Sequence, residues 1–151
     1  MMVGIVLASH GAFAEGISQS AEMIFGKQEN FGSAILKPDE GPDDVRKKME
    51  NVINSFDNQD EVLFLIDLWG GTPFNQANKL LEEHGGNWAI VTGLNLPMVI
   101  EALSQRFSLD SAKEIATAIV EPAKDGIKTK PESLAPKESQ KVEVKNQEPQ
   151  G

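Results

Sequence analysis

The sequence predicts a doubly wound α/β fold, a mainly parallel four-stranded sheet with helices on both faces. Three observations carry this. Residues 3–8 and 61–67 are nearly continuous apolar runs, the signature of strands buried on both faces of a parallel sheet. Both runs end abruptly on polar side chains, Ser9-His10 and Asp67. Between the strand-like runs lie segments with apolar residues at helical spacing, so the chain reads β-α-β-α-β-α-β-α-α, the order of right-handed parallel crossovers.

Strand one covers 3–8. Gly11-Ala12 turns into a helix whose apolar positions are Phe13, Ile17, Ala21, Ile24 and Phe25, with Gly26 as its stop. Residues 31–37 read as strand two. Pro42 suits a first helical turn, where Asp43 and Asp44 complement the positive helix end. Val45, Met49, Val52 and Phe56 mark that helix's buried face. Strand three is 61–67. Thr72 reads as the N-cap and Pro73 as the first residue of a helix running to His84, with Gly85-Gly86 ending it. Strand four is 88–93. Helices over 97–106 and 110–120 follow, the second capped by Asp110. Residues 126–130 read as a short fifth strand, antiparallel to the rest. The globular unit is therefore 1–130. Residues 131–151 are rich in Lys, Glu, Pro, Gln and Ser without aromatics, which reads as a disordered tail or linker.

Composition excludes several classes. With 151 residues, the chain has room for one domain and a tail. A formal charge of −9 makes it a poor ligand for nucleic acid or anionic membranes. No apolar run reaches the ~20 residues of a membrane span, and the N-terminal run lacks the basic flank of a signal peptide. There are no cysteines, which excludes disulfides, zinc–thiolate sites and thiol nucleophiles and fits a reducing cytoplasm.

The chemistry gathers at strand ends. Open α/β sheets place ligands at the carboxyl edge of their strands, and His10 and Asp67 both stand there. If the two strands are neighbours, Asp67 accepts a hydrogen bond from one ring nitrogen of His10. That bond fixes the tautomer and leaves the other nitrogen free as a nucleophile. Gly11-Ala12 and Gly70-Gly71-Thr72 open the helices that follow, and amides at helix N-termini favour phosphate; the Ser9 and Thr72 hydroxyls add donors. A histidine nucleophile, a carboxylate that orients it and two anion cradles suit phosphoryl transfer. Trp69, a large aromatic beside two glycines, reads either as a contact surface or as core. His84 needs no role beyond the helix C-terminus.

Three stretches together resemble the enzyme IIA component of the mannose-class phosphoenolpyruvate:sugar phosphotransferase system. They are Gly4 to Gly11 (GIVLASHG), Asp67 to Asn75 (DLWGGTPFN) and Gly93 to Met98 (GLNLPM). The resemblance covers about residues 2–130. It implies a cytoplasmic phosphocarrier in which His10 takes a phosphoryl group from phospho-HPr and passes it to the IIB component. Asp67 then supports the ring, and Gly11, Gly71 and Thr72 help hold the phosphoryl group. Trp69 and Asn95 belong to the partner surface. The family fold is often a homodimer that exchanges a C-terminal strand, matched here by 126–130. Its membrane link is indirect, through the IIC and IID components. Neither metal nor cofactor is required. Relatives can carry a polar residue where this chain has Leu68, which puts more weight on the Thr72 hydroxyl.

Two other classes remain open at this point. One is a flavodoxin-like binding or regulatory domain without a reaction of its own. The other is a metal-handling α/β protein, which needs further ligands beside His10.

Overall fold

The computed structural model describes residues 2–136. Strand β1 (Gly4–His10) lies between β2 (Phe31–Leu36) and β3 (Val62–Ile66), and β4 (Ala89–Thr92) pairs with β3. All pairings are parallel, in the order β2-β1-β3-β4. The chain leaves β1 toward one side for β2, then returns across β1 for β3. The strand order therefore reverses between β1 and β3, which makes their carboxyl ends the topological switch point.

Both faces of the sheet are covered, which explains the unbroken apolarity of the strands. On one face, Val3, Ile5, Leu7, Leu63 and Leu65 pack under α1 (Phe13–Phe25), α4 (Leu96–Gln105) and α5 (Ala112–Asp125). On the other, Val6, Ala8, Val62, Phe64 and Ile66 pack under α2 (Pro42–Asn54) and α3 (Thr72–His84). Successive residues point to opposite faces, so each strand feeds both cores. Each fully buried Leu, Ile or Phe contributes about 1.5–3 kcal/mol by leaving water. Arg46 on α2 makes a two-pronged ion pair with Glu83 on α3, at 2.7 Å for each hydrogen bond, and ties the two helices of that face together.

Several sequence expectations shift. Strand β1 runs on to His10, because Leu36 keeps pairing with it. On α1 the buried residues are Ala14 and Ala21, with Ile17 and Phe25 packed beside them. Phe13 and Ile24 instead face outward, 49% and 63% exposed. The N-cap of α3 is Gly71, one residue before Thr72. The cap of α5 is Ser111 rather than Asp110: its hydroxyl accepts from Glu114 N at 3.2 Å. Helix α5 also continues through Pro122 to Asp125. Proline argues against helix interior, but Ala123 is buried in the core and its carbonyl accepts from the Asn95 side chain. Residues 126–130 form no strand: Gly126 closes α5 against Pro97 and Ile127 is left 81% exposed. Most of the predicted tail, 137–151, lies outside the described residues. No helix among the described residues is long and apolar enough to cross a membrane.

Candidate functional site

His10 and Asp67 meet at the switch point. Register carries β1 and β3 side by side from Gly4↔Val62 to Ala8↔Ile66, so the next residues along each strand emerge together. One carboxylate oxygen, Asp67 Oδ2, accepts two hydrogen bonds from His10. The backbone N–H donates at 3.0 Å and ring Nδ1 at 2.9 Å. The other oxygen accepts from Leu68 N at 2.9 Å. Asp67 N donates to Ala8 O, so the residue is held by its backbone as well. An ionised carboxylate only accepts, which puts the His10 proton on Nδ1 and leaves Nε2 with its lone pair. The His10 side chain is 46% exposed and that of Asp67 15%. The imidazole faces solvent while the carboxylate that holds it is shielded, which strengthens the bond between them.

The turn after His10 is built around Ser9, which is fully buried. Its hydroxyl donates to Gly11 O at 3.0 Å and accepts from Ala14 N at 2.8 Å. Ser9 Oγ is thus committed to the turn and is no phosphate donor, contrary to the expectation from sequence. Gly11 N donates to Leu36 O, and Gly11 adopts φ +59°, a left-handed turn that favours glycine. This sharp exit from β1 presents the imidazole at the edge rather than under α1.

The second loop runs from Asp67 to Gly71. Gly70 has φ +84°, and Gly71 O accepts from Asn75 N at 2.9 Å to start α3. Thr72 is the first residue of α3 and is half-buried beside that start. Gly71 lies directly against the His10 ring: a Cβ there would stand 2.7 Å from Cε1 and 3.2 Å from Nε2. Asp67 and Gly71 thus both lie against the His10 ring, Gly11 follows it in the chain, and Thr72 follows Gly71 at the start of α3.

Trp69 is 74% exposed, with its ring tilted on Phe74 at 4.3 Å. It is surface rather than core. Leu68, 58% exposed, stands on the same loop, and Phe13, 49% exposed, opens α1 three residues after His10. Neither was read as surface in the sequence: Phe13 fitted the helical period of α1, and Leu68 was noted only as a position where relatives can carry a polar residue. Asn95 is placed differently. Its side chain caps α4 by accepting from Met98 N at 2.9 Å and donates to Ala123 O at 3.1 Å, so both ends are occupied within the fold. His84 stacks on Trp88 at 4.1 Å, at the far end of α3. Among the described residues, no group of three or more His, Cys, Asp or Glu is arranged to hold a metal ion.

Comparison with known proteins places the fold in a family. The family model described as PTS system fructose IIA component matches residues 4–120. The mannose-specific EIIAB component of Escherichia coli K12 is 36% identical over 130 residues, 85% of this chain. The chain spans only 39% of that relative's length. The fructose-specific EIIA component of Bacillus subtilis is 32% identical over 105 residues, covering 70% of this chain and 71% of its own. Among solved structures, an EIIA component from Streptococcus agalactiae superposes with a TM-score of 0.78 at 31% identity, covering 85% of this chain and 97% of its own. Its fold, its family model and its relatives agree: this chain belongs to the mannose-class IIA components of the sugar phosphotransferase system.

Proposed function

We propose that the chain is a phosphohistidine carrier: His10 Nε2 takes a phosphoryl group from phospho-HPr and delivers it to a IIB component. The observation that carries this reading is the double hydrogen bond from His10 to Asp67 Oδ2, which leaves Nε2 as the one ring nitrogen without a partner from Asp67. The step balances simply. The donor's N–P bond breaks as the bond from phosphorus to Nε2 forms. A donor ring protonated on its other nitrogen leaves as neutral imidazole, while His10 keeps its Nδ1 proton and becomes the cationic phosphoimidazole. Asp67 offsets that charge. Because one imidazole replaces another, the step is near balance, and catalysis rests on alignment of the two nitrogens across phosphorus. The unbonded amides at the Gly71-Thr72 helix start, with the Thr72 hydroxyl, suit the phosphoryl oxygens.

Phe13, Leu68 and Trp69 give the surface around His10 an apolar face for the two protein partners, in keeping with the enrichment of aromatics at interface centres. The reading also carries a cytoplasmic location, an indirect link to membrane IIC and IID components, and a homodimer. The outer edge of β4 supports the dimer. Among the described residues that edge pairs with no strand, and beside it runs a groove lined by Ile90, Thr92, Ala116, Val120 and Ile127.

The test is an intact-mass spectrum after incubation with phosphoenolpyruvate, enzyme I and HPr. Gain of one phosphoryl group, lost in acid and kept in alkali, is expected. No gain while HPr itself is phosphorylated would leave a binding or regulatory domain instead. In the same assay Asp67→Asn should fold normally and slow transfer about 10- to 100-fold, the loss of a charge-assisted hydrogen bond of ~1.5–3 kcal/mol. An unchanged rate would mean the carboxylate does not act on the ring.

A further inference from the structure

Gly70 and Gly71 are adjacent, and the structure needs each to be glycine for a different reason. Gly70 sits at φ +84° with nothing within 4 Å of where a Cβ would be. Its requirement is conformational. Gly71 has φ −77° and ψ 175°, extended backbone that any residue adopts. Its requirement is space: a Cβ would lie 2.7 Å from His10 Cε1 and 3.2 Å from Nε2. The first distance is far inside van der Waals contact.

Neither side can retreat freely. The His10 ring is tethered through Nδ1 to Asp67 at 2.9 Å. Gly71 is tethered through its carbonyl to Asn75 N at the start of α3, and the buried Phe74, with the Trp69 ring tilted on it, anchors that start. The loop from Asp67 to Gly71 therefore grips the imidazole at both ends, by a hydrogen bond at its first residue and by bare backbone at its fifth. We propose that Gly71 is a positioning residue, whose missing side chain lets the His10 ring lie in the one orientation that keeps Nδ1 on Asp67 and Nε2 outward. In this account Gly71 acts on the ring itself, in addition to any contact with a phosphoryl group. Only the transfer arm of the test rests on the carrier reading.

The experiment compares Gly71→Ala and Gly70→Ala, each in the parent chain and in His10→Ala. The readouts are ring ¹⁵N shifts, thermal melting and phosphoryl acceptance from phospho-HPr. Gly71→Ala should melt lower, lose the single Nδ1–H tautomer of His10 and slow maximal transfer about tenfold or more, the loss of one well-made charged hydrogen bond. The apparent KM for phospho-HPr should hardly change. In the His10→Ala background the added methyl meets no ring, so the melting penalty of Gly71→Ala should vanish. Gly70→Ala should lower the melting point in both backgrounds and leave the His10 tautomer intact. An unchanged tautomer in Gly71→Ala, or an equal melting penalty with and without the ring, would overturn the proposal. If Gly71→Ala does not fold, rescue by His10→Ala supports the clash and failure to rescue refutes it. A parent chain that takes no phosphoryl group, with the tautomer still sensitive to Gly71, would remove the carrier reading and keep the positioning role.

Discussion

His10→Ala is expected to abolish phosphoryl acceptance and leave the fold intact. Nearly half of the His10 side chain is in solvent, and none of it belongs to either core. After truncation Asp67 still accepts from the His10 and Leu68 backbone amides, so no buried charge is stranded. Stability should change by only about 0.5 kcal/mol, as at other exposed positions. No second histidine can substitute. His84 ends the 13-residue helix that begins at Thr72, and at 1.5 Å per residue it stands about 18 Å from that start. Intact-mass labelling and a melting curve on one preparation check both halves. Full labelling of a folded His10→Ala chain would end the phosphohistidine account.

Arg106→Met carries the largest expected stability effect, and it arises at the opposite edge of the sheet. Arg106 follows α4 and is 2% exposed. Its guanidinium donates to the carbonyls of Val3, Glu29 and Asn30 at 2.7–3.0 Å and to Gln28 Oε1 at 3.2 Å. It thereby joins the start of β1, the turn into β2 and the end of α4. Burial pushes its pKa down to about 10, so the group is still cationic at neutral pH. Its Nε has no partner among the described residues. Methionine fills similar volume and removes the buried charge, but it leaves the Val3 and Glu29 carbonyls without the donor that Arg106 supplies, while Asn30 O keeps Ile5 N. Each orphaned group costs ~1–3 kcal/mol, so a net loss of about 3–5 kcal/mol is expected, a large share of a total of about 5–15 kcal/mol. At ~2–4 °C per kcal/mol for a chain of this size, melting should fall by roughly 10 °C. Labelling of His10 should survive at low temperature, because the damage lies at the far edge. A melting point within about 2 °C of the parent would show that water replaces the guanidinium.

What the sequence revealed follows from how local each signal is. The buried strands were legible because double burial writes itself into consecutive residues, as at Val62 to Ile66. His10 and Asp67 were legible as strand ends, yet their meeting depended on β1 and β3 being neighbours, and strand order is not a local property. Arg106 looked like any charge after an amphipathic helix, because its acceptors lie 76 to 103 residues away. Ser9 and Asn95 offered polar side chains that seemed free for partners. Each is absorbed by the fold, Ser9 in the turn that aims His10 and Asn95 between α4 and α5. Gly71 read as part of an anion cradle at a helix start, whereas the closest constraint on it comes from an imidazole 61 positions earlier. The helix read as ending at residue 120 runs on through Pro122, because Ala123 packs into the core.

Reversal of strand order between β1 and β3 has a dynamic corollary. The chain departs from His10 toward the layer of α1 and from Asp67 toward the layer of α3, on opposite sides of the sheet. The imidazole and its carboxylate are thus mounted on separate helical layers but on adjoining strands, whose hydrogen-bonded rungs fix their separation. Neither layer can shift the pair without shearing the sheet. For the proposed carrier, this means that the alignment of the imidazole is settled when the chain folds, and little reorganisation is left for a transfer step.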